Sequence, residues 1–207
     1  MTEEVTVSKI IVDITMSLDG FVTGPNPGPD NGLGDGGEVL HRWAVDSRAP
    51  IDERVLEDSL TRTGAVVMGR GTFDVVDGPH GWSDDAGFGG RRDGRPLPHN
   101  FVVTHEQPAS IRLVDDFTIV TDGLEAALRQ AVDHAGDQDV TVMGGGDLCG
   151  QCIAQGLADE VIIHLAPVVL GRGTPLFFGG EPPAILEFVD AKPAPSATHL
   201  FYRRAAA

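Results

Sequence analysis

Apolar residues fall in short runs separated by glycine- and proline-rich stretches, and the runs switch between strand-like and helix-like spacing along the chain. Lys9 to Met16 (KIIVDITM) is a β-rich run and predicts a first, central strand. Asp19-Gly20 then turns the chain into Gly24 to Gly37, too irregular for a regular element and expected to form a lid or pocket wall. Ile51 to Arg62 follows Pro50, has Asp52 and Glu53 in its first turn, and spaces Ile51, Val55, Ser59 and Leu60 for one face; this predicts a helix. Ala65 to Met68 predicts a short buried strand, with a helix starting at Gly71 and a loop from Gly78 to His99.

The second half repeats the alternation. Phe101 to Thr104 and Phe117 to Val120 predict strands, and Leu124 to His134 a helix. Val140 to Met143 predicts a strand running into Gly144-Gly145-Gly146, followed by a helix to about Gln155 and a strand region from Asp159 to Val169. Beyond the Gly171-Arg172-Gly173 turn, Ile185 to Asp190 and Ala197 to Arg203 predict a closing antiparallel pair. Strands alternating with helices, then a strand-rich end, imply an α/β fold with a mixed central sheet covered on both faces. With no internal repeat or boundary visible, residues 1–207 are expected to form one domain.

Composition narrows the choice. A hydrophobic content of 41% with 22% charged residues is that of a globular chain. No run approaches the roughly 18 apolar residues of a membrane span, and Met1 to Lys9 lacks a signal-peptide pattern, so a cytoplasmic protein is expected. A net charge of −16 disfavours nucleic acid and anionic membranes as partners. Cys149 and Cys152 form a Cys-x-x-Cys pair, but two ligands do not complete a zinc site and no metal is expected. The pair lies where a helix should run, which favours packing over thiol chemistry.

Two strand–glycine–helix junctions carry the candidate chemistry. In Val66-Val67-Met68-Gly69-Arg70-Gly71-Thr72-Phe73, Gly69 permits close backbone approach, and Arg70 and Thr72 offer a cation and a hydroxyl for phosphate. The alternative is a tight turn with an N-cap. In Val142-Met143-Gly144-Gly145-Gly146-Asp147-Leu148, three glycines at a strand end open a helix, a pattern suited to a pyrophosphate. This is not the G-x-G-x-x-G fingerprint, because Cys149 stands where its last glycine would be. Two such junctions in one small domain describe a dinucleotide crevice.

VVMGRGTFD resembles the strand–helix signature of dihydrofolate reductases. VMGGGDLCGQCIAQGLADEVIIHLAPVVLGRGTPLF resembles the C-terminal half of that superfamily, including the reductase domain of the bifunctional riboflavin-pathway deaminase-reductase, and MSLDGFVTG resembles the opening of that branch. The likeness covers Lys9 to Arg203 in consistent order.

The resemblance implies a dihydrofolate reductase-like three-layer fold, NADPH as cofactor, a small pyrimidine- or pterin-like substrate, and a homodimer. It places Gly69, Arg70 and Thr72 at phosphates, Gly144, Gly145, Gly146, Asp147 and Leu148 around the pyrophosphate, and Thr15 and Val22 beside the nicotinamide. Thr104 and His105 fall near the adenosine 2′-phosphate. Thr121 and Glu106 depart from the NADPH pattern there, with Arg91 or Arg92 as the compensating cation. Counting back from Met68-Gly69-Arg70 puts Glu53, with Asp52 beside it, at the proton-donor position; the alternative is a pair of acids complementing the helix dipole. Asp19 is the other candidate acid, alternatively a plain Asp-Gly turn. His164 and Trp82 are assigned to the substrate, although a core histidine is an equal reading of His164. Asp13 replaces a lysine often found in the first strand of the riboflavin branch.

Overall fold

A computed structural model describes residues 8–46, 49–83, 86–91, 96–179 and 183–205. In chain order the strands are β1 (Ile10–Ser17), β2 (Phe21–Thr23), β3 (Thr63–Gly69), β4 (Ala86–Gly87), β5 (Gly90–Arg91), β6 (His99–Val103), β7 (Phe117–Val120), β8 (Asp139–Gly144), β9 (Glu160–Ala166), β10 (Thr174–Pro175), β11 (Leu186–Pro193) and β12 (Thr198–Arg204). The helices are α1 (Arg42–Val45), α2 (Pro50–Arg62), α3 (Arg70–Val76), α4 (Leu124–Ala135) and α5 (Gly146–Ala154). Eight strands form one sheet in the order β11-β12-β9-β1-β8-β3-β6-β7. β1 pairs in parallel with both β8 and β9, while β12 runs antiparallel to β9 and β11. This is a mixed α/β sheet with an antiparallel C-terminal pair.

Alternation along each strand builds the two faces. Val12 and Ile14 of β1, Ala65 and Val67 of β3, and Val140 and Val142 of β8 join one core, which Ala127, Leu128 and Ala131 of α4 and Leu148, Cys149 and Cys152 of α5 complete. The opposite face carries Val66 and Met68 of β3 and Val102 of β6 against Phe73 and Val76 of α3. Because β1, β3 and β8 are parallel, their C-terminal ends lie on one edge. That edge delivers Ser17, Gly69 and Gly144 to a common region.

Several elements differ from the sequence expectation. The buried face of α2 runs through Asp52, Val55 and Ser59 rather than starting at Ile51, since positions three and seven apart share a helix face. Short pieces that periodicity cannot reveal also form. β2 pairs with β10, with Thr23 and Thr174 151 positions apart, and a 3-10 turn at Gly37–His41 leads into α1. Cys149 and Cys152 are buried, and burial pushes Cys149 well above the usual thiol range and Cys152 to about 12. Both thiols pack; neither is poised as a thiolate.

Between the two cysteines, Gly150 allows α5 to sit on the segment after β10. A Cβ there would stand 2.3 Å from the Leu176 carbonyl oxygen. Alanine in a helix interior normally gains about 1 kcal/mol over glycine. Gly150→Ala is expected to lower stability nonetheless, because a backbone atom must move. Urea denaturation with an unchanged m-value and a lower midpoint checks this.

Candidate active site

One cavity of 1370 Å³ opens along the C-terminal edge of the parallel strands. Its wall includes Thr15 and Val22, the first junction at Gly69, Arg70 and Thr72, and the second from Gly144 to Leu148. Thr104, His105, Trp82 and His164 also line it. The Gly24 to Gly37 segment contributes Pro27, Pro29 and Leu33, in keeping with the pocket wall expected there.

The two junctions touch. A Cβ at Gly69 would meet Gly145 N at 3.6 Å, and one at Gly144 would meet the Thr72 hydroxyl at 3.0 Å. Gly144 has φ 147, a conformation other residues rarely adopt, and the Gly144–Gly145 peptide is cis. A Cβ at Gly146 would strike Val22 at 2.6 Å. Glycine at these positions brings backbone to the cavity surface, where side chains would fill the cradle. The residues therefore fit an extended, phosphate-bearing ligand crossing β3 and β8. Arg70 supplies a cation there, already paired with Asp74 through Nε at 2.7 Å. Just past β6, Thr104 donates to the Glu106 carbonyl and so fixes the turn carrying His105 and Glu106. Arg92 and the side chain of Arg91 lie outside the described residues.

At the other end, β1, β9 and β12 set polar side chains into an otherwise apolar layer. Thr15 is opposite His164, and His164 is opposite His199, so the three share one row. Asp13, two residues before Thr15, shares their face. His164 Nε2 lies 2.7 Å from Asp13 Oδ1, and the Ser59 hydroxyl donates to Asp13 Oδ2 at 3.0 Å. Trp43 Nε1 donates to Thr15 Oγ1, and the Trp43 ring lies 4.1 Å from that of His164. Asp13, Trp43, His41 and His164 all border the cavity. Burial raises the Asp13 pKa, but the charge and hydrogen bond of His164, with the Ser59 hydroxyl, outweigh it and hold the carboxyl below its ordinary value.

The three acids singled out from sequence take other places. Glu53 is exposed and lines no part of the cavity, because the inward face of α2 passes through its neighbour. Asp52 is fully buried but stands behind the cavity wall. Its carboxylate accepts from the Ala49 N–H at 2.8 Å, as a capping acid does, and contacts His199 Nε2 at 2.8 Å. Asp19 accepts from the Ser17 hydroxyl and from the Leu170 and Gly171 N–H groups, which ties the β1–β2 turn to the loop after β9. It is a turn residue outside the cavity. At this end of the cavity the bordering acid is Asp13, whose signal in the sequence was a lone carboxylate inside an apolar strand; Asp74, Glu106 and Asp147 line the cavity elsewhere.

Residues 8–200 match the family model of the RibD C-terminal domain. The chain belongs to that family. The family places it among reductase-type proteins, and the structural neighbours have the same fold. The chain is 26% identical over 197 residues to the uncharacterized protein YyaP of Bacillus subtilis (strain 168), covering 93% of this chain and 92% of that one. A Shewanella sp. PV-4 protein assigned to riboflavin biosynthesis superposes with a TM-score of 0.69 at 23% identity, over 96% of this chain and 99% of that one. Dihydrofolate reductase from Enterococcus faecalis, solved with NADP(H), superposes with a TM-score of 0.59 at 15% identity, over 96% and 97%. The dihydrofolate reductase-like fold expected from the sequence is thus the fold of the chain. No helix among the described residues is long and apolar enough to cross a membrane.

The buried histidines give the site a pH dependence. Burial, then the nearby charge of His164, holds His199 and His41 below the ordinary histidine pKa. A depressed histidine pKa adds stability above the unfolded value of about 6.5 that is lost as pH falls toward the folded value. Asp13, also depressed, adds stability above about 3.9 that is lost as pH falls through its lower folded value. Urea midpoints are therefore expected to fall from neutral pH downward, starting near pH 6.5. The decline between pH 7 and pH 5.5 should be shallower in His199→Gln than in wild type.

Proposed function

We propose that the protein is an NADPH-dependent reductase of a small heterocycle, resembling 5-amino-6-(5-phosphoribosylamino)uracil reductase. One observation carries this reading: a single cavity joins both glycine junctions to a partly buried Asp13–His164 pair. A bound reduced nicotinamide supplies a hydride to an electrophilic carbon of a C=N or C=O bond. The chain's residues then have separable tasks. Gly69, Arg70 and Thr72 hold phosphate, and backbone from Gly144 to Leu148 cradles the pyrophosphate. Thr15 and Val22 flank the nicotinamide, and Thr104 and His105 meet the adenosine ribose. Trp82 and His164 bound the substrate, and Asp13 sets the charge beneath it.

A pterin reductase is the alternative on the same fold, and a nucleotide-binding sensor without turnover is a reading from another class. The bifunctional deaminase/5-amino-6-(5-phosphoribosylamino)uracil reductase of Thermotoga maritima supports the pyrimidine reading, with a TM-score of 0.61 at 16% identity; the match covers 57% of that chain. A homodimer and a cytoplasmic location belong to the same proposal. Exposed Ile185, Phe188 and Val189 on and beside the edge strand β11 support the former.

Binding is testable before a substrate is known. NADPH should quench the fluorescence of Trp43 and Trp82, both in the cavity wall, with saturation. Arg70→Ala should weaken affinity by about ten- to a hundredfold, as expected for one charge-assisted hydrogen bond. Gly145 has φ −73 and space for a Cβ, so its requirement is room for the ligand rather than a left-handed backbone. Gly145→Val should fold normally and lose NADPH binding. Wild-type affinity in that folded variant would contradict the cradle. NADPH oxidation followed by absorbance against pterins and ribosylaminopyrimidines then separates the reductase from the sensor.

A further inference from the structure

His199 and Asp52 have no task in the reading above, yet both are fully buried and joined to the cavity floor. From the cavity inward, His164 Nε2 meets Asp13 Oδ1 at 2.7 Å, His164 Nδ1 meets His199 Nδ1 at 2.7 Å, and His199 Nε2 meets Asp52 Oδ1 at 2.8 Å. Each of these links joins two atoms that can both accept, so each must hold one proton. Three protons shared by two carboxyls and two imidazoles leave a single negative charge.

Two arrangements satisfy every link with both imidazoles neutral, and two more do so with one imidazole doubly protonated between two carboxylates. The neutral two differ in which carboxyl carries the charge. With the charge on Asp52, Asp13 donates to His164 Nε2, His164 donates through Nδ1, and His199 donates through Nε2. With the charge on Asp13, Asp52 donates to His199 Nε2, His199 donates through Nδ1, and His164 donates through Nε2. The ends are matched: Asp13 Oδ2 accepts from the Ser59 hydroxyl, and Asp52 Oδ2 accepts from the Ala49 N–H. Each carboxylate form therefore has one outside donor.

We infer that Asp13, His164, His199 and Asp52 form a buried charge relay, in which His199 and Asp52 are positioning residues that set whether Asp13 meets the cavity as a neutral acid or as a carboxylate. In the shift each link passes one proton to its neighbour, no proton is exchanged with water, and one negative charge moves from one carboxyl to the other. Resting on the proposed reductase reading, the substrate class is a heterocycle that gains positive charge at a ring nitrogen, which the Asp13 carboxylate would offset. The groups facing the relay are His41, Trp43 and Thr15 at the cavity, Ser59 on α2, and Cys149, whose thiol Asp13 helps to raise. Burial and the charge of His164 hold His41 and His199 down, which resists a second positive charge in the layer near neutral pH.

Histidine ¹⁵N NMR of the whole chain tests the relay without substrate or cofactor. In wild type, His164 and His199 should each show one protonated and one accepting nitrogen, or exchange between the two. Asp52 does not touch His164, yet Asp52→Asn should change the protonation pattern of the His164 nitrogens, because a neutral amide cannot take the charge at the far end of the chain. His199→Gln should uncouple His164 in the same assay and serves if Asp52→Asn does not fold. An unchanged His164 nitrogen pattern in either folded variant would overturn the relay. In turnover, Asp52→Asn should displace the pH profile of kcat while NADPH affinity stays at the wild-type value. Failure of wild type to bind NADPH would remove the reductase reading and leave the NMR result standing on its own.

Discussion

The parallel pairing of β1 with β8, and of β8 with β3, is the constraint on which the site depends. Parallel strands end on the same edge, so chain segments far apart in sequence are delivered to one place. Gly69 and Gly144 come into contact this way, and Thr15 and Val22 join them from the first strand and the turn after it. The helices that follow β3 and β8 begin at this edge and pack back onto opposite sheet faces, which fixes both junctions to rigid elements. The two cores on either side hold that edge in position.

A second constraint follows from the pleat. Polar residues at Asp13, Thr15, His164 and His199 occupy one layer of a sheet whose surroundings are apolar, and burying them unpaired would cost more than any of them could return. The fold answers with partners from outside the sheet: Ser59 and Asp52 from α2, and the Trp43 indole from α1. α2 is thus amphipathic in an unusual sense, since its inward stripe is partly acid and hydroxyl. Its capping acid serves the helix end and the buried layer at once.

Local chemistry was legible in the sequence. β7 spans Phe117–Val120 as the apolar run predicted, and both glycine junctions were readable because each is a contiguous strand, turn and helix start. The pocket-wall role of the Gly24 to Gly37 stretch was legible for the same reason. The proton-side residues were not. Glu53 was favoured by counting along the chain, but helix rotation decides which acid faces inward, and that rotation is set by what α2 packs against. His199 and Asp13 were hidden because their roles depend on strand register between segments 151 and 35 residues apart. An isolated acid in KIIVDITM, with histidines in EVIIHLA and THLFY, was the available signal.

The central claim is that one ligand bridges the two junctions, and hydrogen exchange with and without NADPH tests it most directly. If the cradle is as described, saturating NADPH slows amide exchange in both the Gly69–Thr72 and the Gly144–Leu148 segments together, and leaves β11 and β12 unchanged. Protection of one junction alone, or of neither while NADPH is demonstrably bound, would contradict the account.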